Sequence, residues 1–173
     1  QSSPKIKQLE WVKSPFFDGD FEADFITLSP YMGMDSVEPY LDYVKNKEKG
    51  LFILLRTSNK GSQDFQYIED KRGTRLYNSV GEKISELGER YLGSTGYSSI
   101  GAVVGGNNTD EGIEIRKRFS SLFFLVPGYG AQGGGEKDVA IYLKNSNGAI
   151  INSSRGIILA YKNYEDGDKK FDQ

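Results

Sequence analysis

Leu51-Phe-Ile-Leu-Leu-Arg-Thr57 is apolar for five consecutive residues, and that continuity decides the fold. A strand with one wet face alternates apolar and polar residues; a strand covered on both faces does not need to. Four more short runs share the character: Asp24-Phe-Ile-Thr-Leu-Ser29, Ile100-Gly-Ala-Val-Val-Gly105, Leu122-Phe-Phe-Leu-Val-Pro127 and Ala149-Ile-Ile-Asn-Ser-Ser-Arg155. Each closes on a small polar or glycine-rich loop, and the segments between them carry the apolar period of a helix. The chain therefore reads as repeated βα units forming an α/β fold with parallel strands, whose chemistry belongs at the strands' C-terminal ends.

The connecting segments support this. Asp35-Ser-Val-Glu38 has the form of a capping box, and Val37, Leu41 and Val44 share one face, so the spacing predicts a helix from 35 to about 48. Leu76, Val80, Ile84, Leu87 and Tyr91 make a second stripe ending near Gly93. Thr109-Asp110 caps a third helix carrying Ile113, Ile115 and Phe119, and Val139, Ala140 and Leu143 mark a fourth. Phe123 and Phe124 are expected on opposite faces of their strand, and Trp11 as a packing residue. The polar stretch from Asn59 to Gly73 exceeds an ordinary connection and reads as a lid.

Composition narrows the function. The 173 residues contain no cysteine and no histidine, which removes disulfides, thiolate chemistry, and the commonest general base and metal ligand. Catalysis is left to Lys, Asp, Glu and backbone dipoles, with no metal expected. A net charge of −2 argues against nucleic acid as a partner. No apolar run approaches membrane-spanning length and the first residues lack a signal peptide's apolar core, so no membrane partner and a cytoplasmic location are expected.

Pro127-Gly-Tyr-Gly-Ala-Gln-Gly-Gly-Gly135 is the most chemically suggestive stretch. Glycines after a buried strand allow backbone N–H groups close to an anion, and the next helix's N-terminus adds a favourable dipole. The same glycines also suit a plain flexible turn. Asn152-Ser-Ser-Arg-Gly156, closing the following strand, places the Arg155 guanidinium beside that loop, and two adjacent anion-binding signals point to a phosphate site. Asp35 and Glu38 read as caps, and Glu111, Glu114, Arg116, Lys117 and Arg118 as a solvated helix face without chemistry.

Asp24-Phe-Ile-Thr-Leu-Ser-Pro-Tyr-Met-Gly33, Leu54-Leu-Arg-Thr-Ser-Asn59, Gly101-Ala-Val-Val-Gly-Gly106, Val126-Pro-Gly-Tyr-Gly-Ala-Gln-Gly-Gly134 and Ile151-Asn-Ser-Ser-Arg-Gly156 occur in the order of orotidine 5′-phosphate decarboxylase motifs. The chain resembles that family from about residue 18 to 172. The resemblance implies a TIM (β/α)8 barrel, present here as a partial barrel of strands four to eight in a domain spanning 18–173, after a divergent segment spanning 1–17. It implies no cofactor and a nucleotide substrate, orotidine 5′-monophosphate (OMP), converted to UMP and carbon dioxide in de novo pyrimidine biosynthesis. Within it, Ser29 matches a serine that bonds the pyrimidine, Gln132 a glutamine bridging pyrimidine and phosphate, and Arg155 the phosphate-binding arginine. Ser154 stands where a backbone amide faces the phosphate, and Pro127 and Gly128 at the strand end lying against the base. Taken alone, Ser29 is also a strand-ending hydroxyl satisfied by nearby backbone.

The family's Asp-x-Lys-x-x-Asp stretch, the core of its Lys/Asp catalytic network, does not occur in the sequence. Lys7 and Glu10 reproduce the spacing of the lysine and the final aspartate, but Lys5 stands where the first aspartate belongs. The chain alone is therefore expected to bind rather than turn over. A homodimer, or an N-terminal segment that complements the barrel, is the expected partner; the alternative is a non-catalytic barrel fragment or engineered scaffold that keeps a phosphate pocket.

Overall fold

The computed structural model describes residues 22–46, 48–130, 135–164 and 166. Lys7, Glu10, Trp11, Gln132 and the segment 1–17 lie outside them.

The five apolar runs form five strands, β1 (Phe25–Leu28), β2 (Gly50–Arg56), β3 (Ile100–Val104), β4 (Phe124–Pro127) and β5 (Ala149–Asn152). They make one sheet in the order β1-β2-β3-β4-β5, every pair parallel. Leu51 registers with Ile100, Ala102 with Phe124, and Phe124 with Ala149. The continuous apolar reading is borne out most fully in β3, where all five residues are buried. Towards the edges the pattern loosens, and in β1 and β5 alternate residues are exposed.

The helices are α1 (Leu41–Asn46), α2 (Leu76–Gly88), α3 (Thr109–Arg118), α4 (Glu136–Ala140) and α5 (Ser154–Ile158). One face of the sheet, carrying Leu51, Ile53, Leu55, Ile100, Ala102, Val104, Phe124 and Val126, shares a single core with Tyr77, Ile84 and Leu87 of α2, Ile115 of α3, and Phe119, Val139 and Tyr142. The opposite face is lined by Phe25, Phe52, Phe123 and Ile150 around a cavity near 360 Å³. Phe52 is buried there against the ring of Phe25, centroids 5.1 Å apart, whereas Phe25 and Ile150 are each 49% exposed. Phe123 and Phe124 thus do point to opposite faces.

Several local expectations are corrected. The helix expected from residue 35 begins at Leu41, after three 3-10 turns at Pro30–Met32, Met34–Ser36 and Glu38–Tyr40. Pro39 lacks the N–H that an α-helical turn requires there, and no side chain caps the second or third turn, so Asp35 and Glu38 form no capping box. In α2 the buried stripe runs through Tyr77, Gly81, Ile84 and Leu87, one residue out of step with the expected Leu76, which is exposed. Asn108, not Thr109, caps α3 through its side-chain oxygen, and Ile113 faces solvent. The stretch after β2 is no loose lid. The Thr57 N–H donates to Gln66 Oε1 at 2.9 Å and Gln66 Nε2 donates to Thr57 Oγ1 at 2.7 Å, fastening it to the end of β2.

The solvated reading of α3 fails at two residues. Arg116 is buried, its guanidinium over the Phe124 ring at 3.7 Å and donating to the carbonyls of Leu122 and Gly148. Burial lowers its pKa to about 10. The second is Glu111, which belongs to the site region.

Candidate functional site

At the C-terminal end of the sheet, the loops after β4 and β5 enclose a cavity of about 170 Å³ lined by Pro127, Gly128, Tyr129, Ser153, Ser154 and Arg155. That volume is of phosphate size; pockets that take in a whole ligand start near ~300 Å³. Gly128 adopts φ +105° and Gly130 φ +75°, conformations that side chains beyond glycine rarely take, so these two glycines turn the chain out of β4. Ser153 Oγ donates to the Tyr129 carbonyl at 2.9 Å and so fastens the β5 loop to the β4 loop. Arg155 reaches the cavity from the first turn of α5, and among the described residues no carboxylate pairs with it.

Of the residues singled out from sequence, Pro127, Gly128, Ser154 and Arg155 are thus brought together, and Gln132 lies outside the described residues. Ser29 is at the same end of the sheet but at the end of β1, three strand spacings from β4, or roughly 14 Å along the sheet. There its oxygen accepts the Tyr31 N–H at 3.4 Å, the local backbone bond that such a hydroxyl commonly makes. Helix dipoles add little at the cavity, because α4 and α5 are only five residues each.

Beside the cavity lies a polar cluster that the sequence reading missed. Arg56, last residue of β2, is buried and donates to the Gly105 carbonyl at 3.0 Å, to Asn107 Oδ1 at 2.6 Å and to Glu111 Oε2 at 3.0 Å. Tyr67 adds its hydroxyl to the same carboxylate oxygen at 2.7 Å, and Arg75 holds the other at 3.0 Å. Burial and the Glu111 bond raise the Tyr67 pKa above its ordinary value. Tyr142 donates to the Gly105 carbonyl at 3.1 Å, and burial pushes its phenol up to about 12. The one sequence signal was Arg56 itself, a charge ending an otherwise buried apolar run, which demands a partner.

A second set of bonds runs from α3 towards the glycine loop. Thr109 Oγ1 donates to Asp138 Oδ1 at 2.6 Å, and the Gly135 N–H donates to Asp138 Oδ2 at 2.8 Å. These hold the Asp138 carboxyl below the usual carboxylate range.

The model of the orotidine 5′-phosphate decarboxylase / HUMPS family matches residues 10–169. The chain belongs to that family. An orotidine 5′-phosphate decarboxylase of Clostridium novyi is 59% identical over 167 residues, covering 96% of this chain and 58% of that protein. Two solved Leishmania donovani structures are similar in fold: a UMP synthase with TM-score 0.74 and 31% identity over 98% of this chain and 35% of the other, and an OMP decarboxylase with TM-score 0.71 and 30% identity over 95% and 60%. This decarboxylase-family chain thus spans a little over half the length of the bacterial relative it matches. Its five-stranded parallel sheet corresponds to part of the decarboxylase TIM barrel.

Proposed function

We propose that the chain is the phosphate- and pyrimidine-binding part of an orotidine 5′-phosphate decarboxylase, working on OMP and UMP without cofactor, in the cytoplasm, within a homodimer or together with the rest of the barrel. The observation that carries this reading is the single cavity shared by the glycine turn after β4 and by Arg155 after β5. A guanidinium without a carboxylate partner among the described residues, facing a turn of glycines, suits a phosphate dianion: charge-assisted hydrogen bonds are worth about 1.5–3 kcal/mol each. In this reading Pro127 and Gly128 form the wall against which a pyrimidine would rest, Ser154 offers its amide, and Ser29 and Gln132 take the base contacts that the motif resemblance implies. The domain is taken as 18–173.

Decarboxylation of OMP breaks the bond between C6 and the carboxylate carbon, releases carbon dioxide, and protonates C6. Phosphate binding raises the rate only when it forces the reacting carboxylate against charged groups that favour the transition state. In the family resemblance those groups are a Lys/Asp network, and the sequence holds no Asp-x-Lys-x-x-Asp stretch. That favours a second reading for the isolated chain, a non-catalytic barrel fragment or scaffold that binds nucleotide; Lys7 and Glu10 are the candidates for catalysis if the chain does turn over.

Calorimetry with UMP tests the binding that both readings share. Binding by the chain, weakened at least about ten-fold in Arg155→Ala, is the expected outcome, one lost charge-assisted bond being worth about that much; unchanged affinity in the variant overturns the assignment. UMP formation from OMP is expected to be negligible for the chain alone and to appear when the N-terminal part of the barrel is supplied as a second fragment. Substantial turnover by the chain alone returns Lys7 and Glu10 to the catalytic role.

A further inference from the structure

We infer that Asn147 and Gly148 form a site of self-modification, at which the fold holds the Asn147 carboxamide against the Gly148 nitrogen so that the pair closes to a succinimide. The sequence holds this Asn-Gly pair once. Gly148 has no side chain to shield its nitrogen, whereas every other asparagine is followed by a residue that has one. The geometry is set from both sides. Asn147 closes a two-residue turn: the Lys144 N–H donates to the Asn147 carbonyl at 2.7 Å and the Asn147 N–H to the Lys144 carbonyl at 3.1 Å, with Asn145 and Ser146 at φ +53° and +62°. On the far side the Gly148 carbonyl takes the Phe124 N–H and the Arg116 guanidinium, both at 2.9 Å. Between these clamps the Gly148 N–H donates to Asn147 Oδ1 at 2.7 Å, the one bond this carboxamide makes among the described residues. Asn59, Asn107, Asn108 and Asn152 instead turn their side-chain oxygens to Thr57, Arg56, Glu111 and Ser154. A nucleophile held against its target reacts as if at a concentration far above that of any free reactant.

The step needs no reactant but water. The Gly148 nitrogen gives its proton to solvent and bonds to Asn147 Cγ; the Cγ–Nδ2 bond breaks, and Nδ2 takes up a proton and leaves as ammonia. Water then opens the ring. Attack at Cγ breaks its new bond to the Gly148 nitrogen and yields aspartate, whereas attack at the Asn147 main-chain carbonyl carbon leaves the chain running through Cβ and Cγ as isoaspartate. The isoaspartate link adds one carbon to the main chain just before β5, where there is no slack. Gly148 is buried, and a Cβ on it would stand 2.6 Å from the Tyr97 hydroxyl. Its carbonyl must then move away from Arg116 and Phe124, which loosens the joint where β5 begins to pair with β4. None of this depends on the nucleotide reading above.

The test follows the full chain, Asn147→Gln and Asn145→Gln through storage at neutral and at mildly alkaline pH, beside a synthetic peptide of residues 143–151. Peptide mapping by mass spectrometry reads the amide of each asparagine, labelling with an isoaspartyl methyltransferase reads the isoaspartate, and the melting temperature reads the fold. The expected result is amide loss at Asn147 ahead of every other asparagine, at least as fast in the folded chain as in the peptide. It should be faster at the higher pH, where more of the attacking nitrogen is deprotonated. The stored chain is expected to gain isoaspartate and to melt earlier, and Asn145→Gln to age in the same way. Asn147→Gln, whose carboxamide sits one carbon further out, is expected to keep its melting temperature. Slower loss at Asn147 in the folded chain than in the peptide, earlier loss at another asparagine, or an equal fall in the melting temperature of Asn147→Gln overturns the inference.

Discussion

Removing the Glu111 carboxylate leaves two guanidinium groups, Arg56 and Arg75, without the anion they share. Arg56 is only 4% exposed, so Glu111→Ala is expected to destabilise the chain by about 3 kcal/mol, read as a lower urea midpoint. Tyr142 offers a pH-dependent test. Its phenol is raised to about 12 in the folded chain, against 10.0 ordinarily, so the neutral form is the one the fold favours. The resulting stability is fully present below pH 10 and is lost as pH rises towards 12, because the unfolded chain ionises first. The melting temperature should fall over that window, and Tyr142→Phe should flatten the fall. At Gly112 the constraint is space: an added methyl would lie 2.5 Å from both Ile141 and the Tyr142 hydroxyl, and Gly112→Ala is expected to lose about 1–3 kcal/mol by the same urea measurement. None of these three positions announces its environment in sequence. Glu111 and Glu114 are alike on paper, both inside a charged helix, and only partners 36 and 55 positions away, Arg75 and Arg56, separate them. Arg155 and Gly128 were legible because their chemistry is local, a guanidinium and a turn following strands that could be recognised.

The strands were legible for a similar reason: burial on both faces imposes an apolar run that needs no knowledge of the neighbour. Helix starts were less so, because a cap depends on one side-chain bond; Asp35 and Glu38 satisfy a spacing rule, yet Pro39 and the positive φ of Gly33 favour tight 3-10 turns instead. The short α4 and α5 follow from their sequences too, since α4 is bounded by Gly135 and carries three charged residues in its first turn. At this scale the decisive contact is α2 on β2 and β3, made by Tyr77, Ile84 and Leu87. Ile84→Ala, at a fully buried position, is expected to destabilise by about 2–5 kcal/mol, whereas Ile113→Ala on the exposed side of α3 should stay within about 0.5 kcal/mol. Denaturant titration of the two variants side by side checks both figures.

For the molecule as a whole, the asymmetry between the two faces of the sheet matters most. One face is sealed by helices; the other presents Phe25 and Ile150 half exposed, and β1 and β5 have no further strand beside them among the described residues. Open parallel edges and an apolar face invite a partner. Replacing Phe25 and Ile150 together by Ser is expected to reduce self-association of the isolated chain, measured by sedimentation, and to weaken its capture of a fragment supplying the remaining barrel strands. The strand order has a kinetic side as well. Because each strand pairs only with its neighbours in sequence, no pairing has to wait for a distant segment, and every loop closed during assembly is a modest one, with an entropy penalty that grows only as the logarithm of its length. Such a sheet can grow outward from β2 and β3, its most buried pair, one βα unit at a time. Amide hydrogen exchange should then be slowest in β2 and β3 and progressively faster towards β1 and β5, a gradient centred on the middle of the sheet.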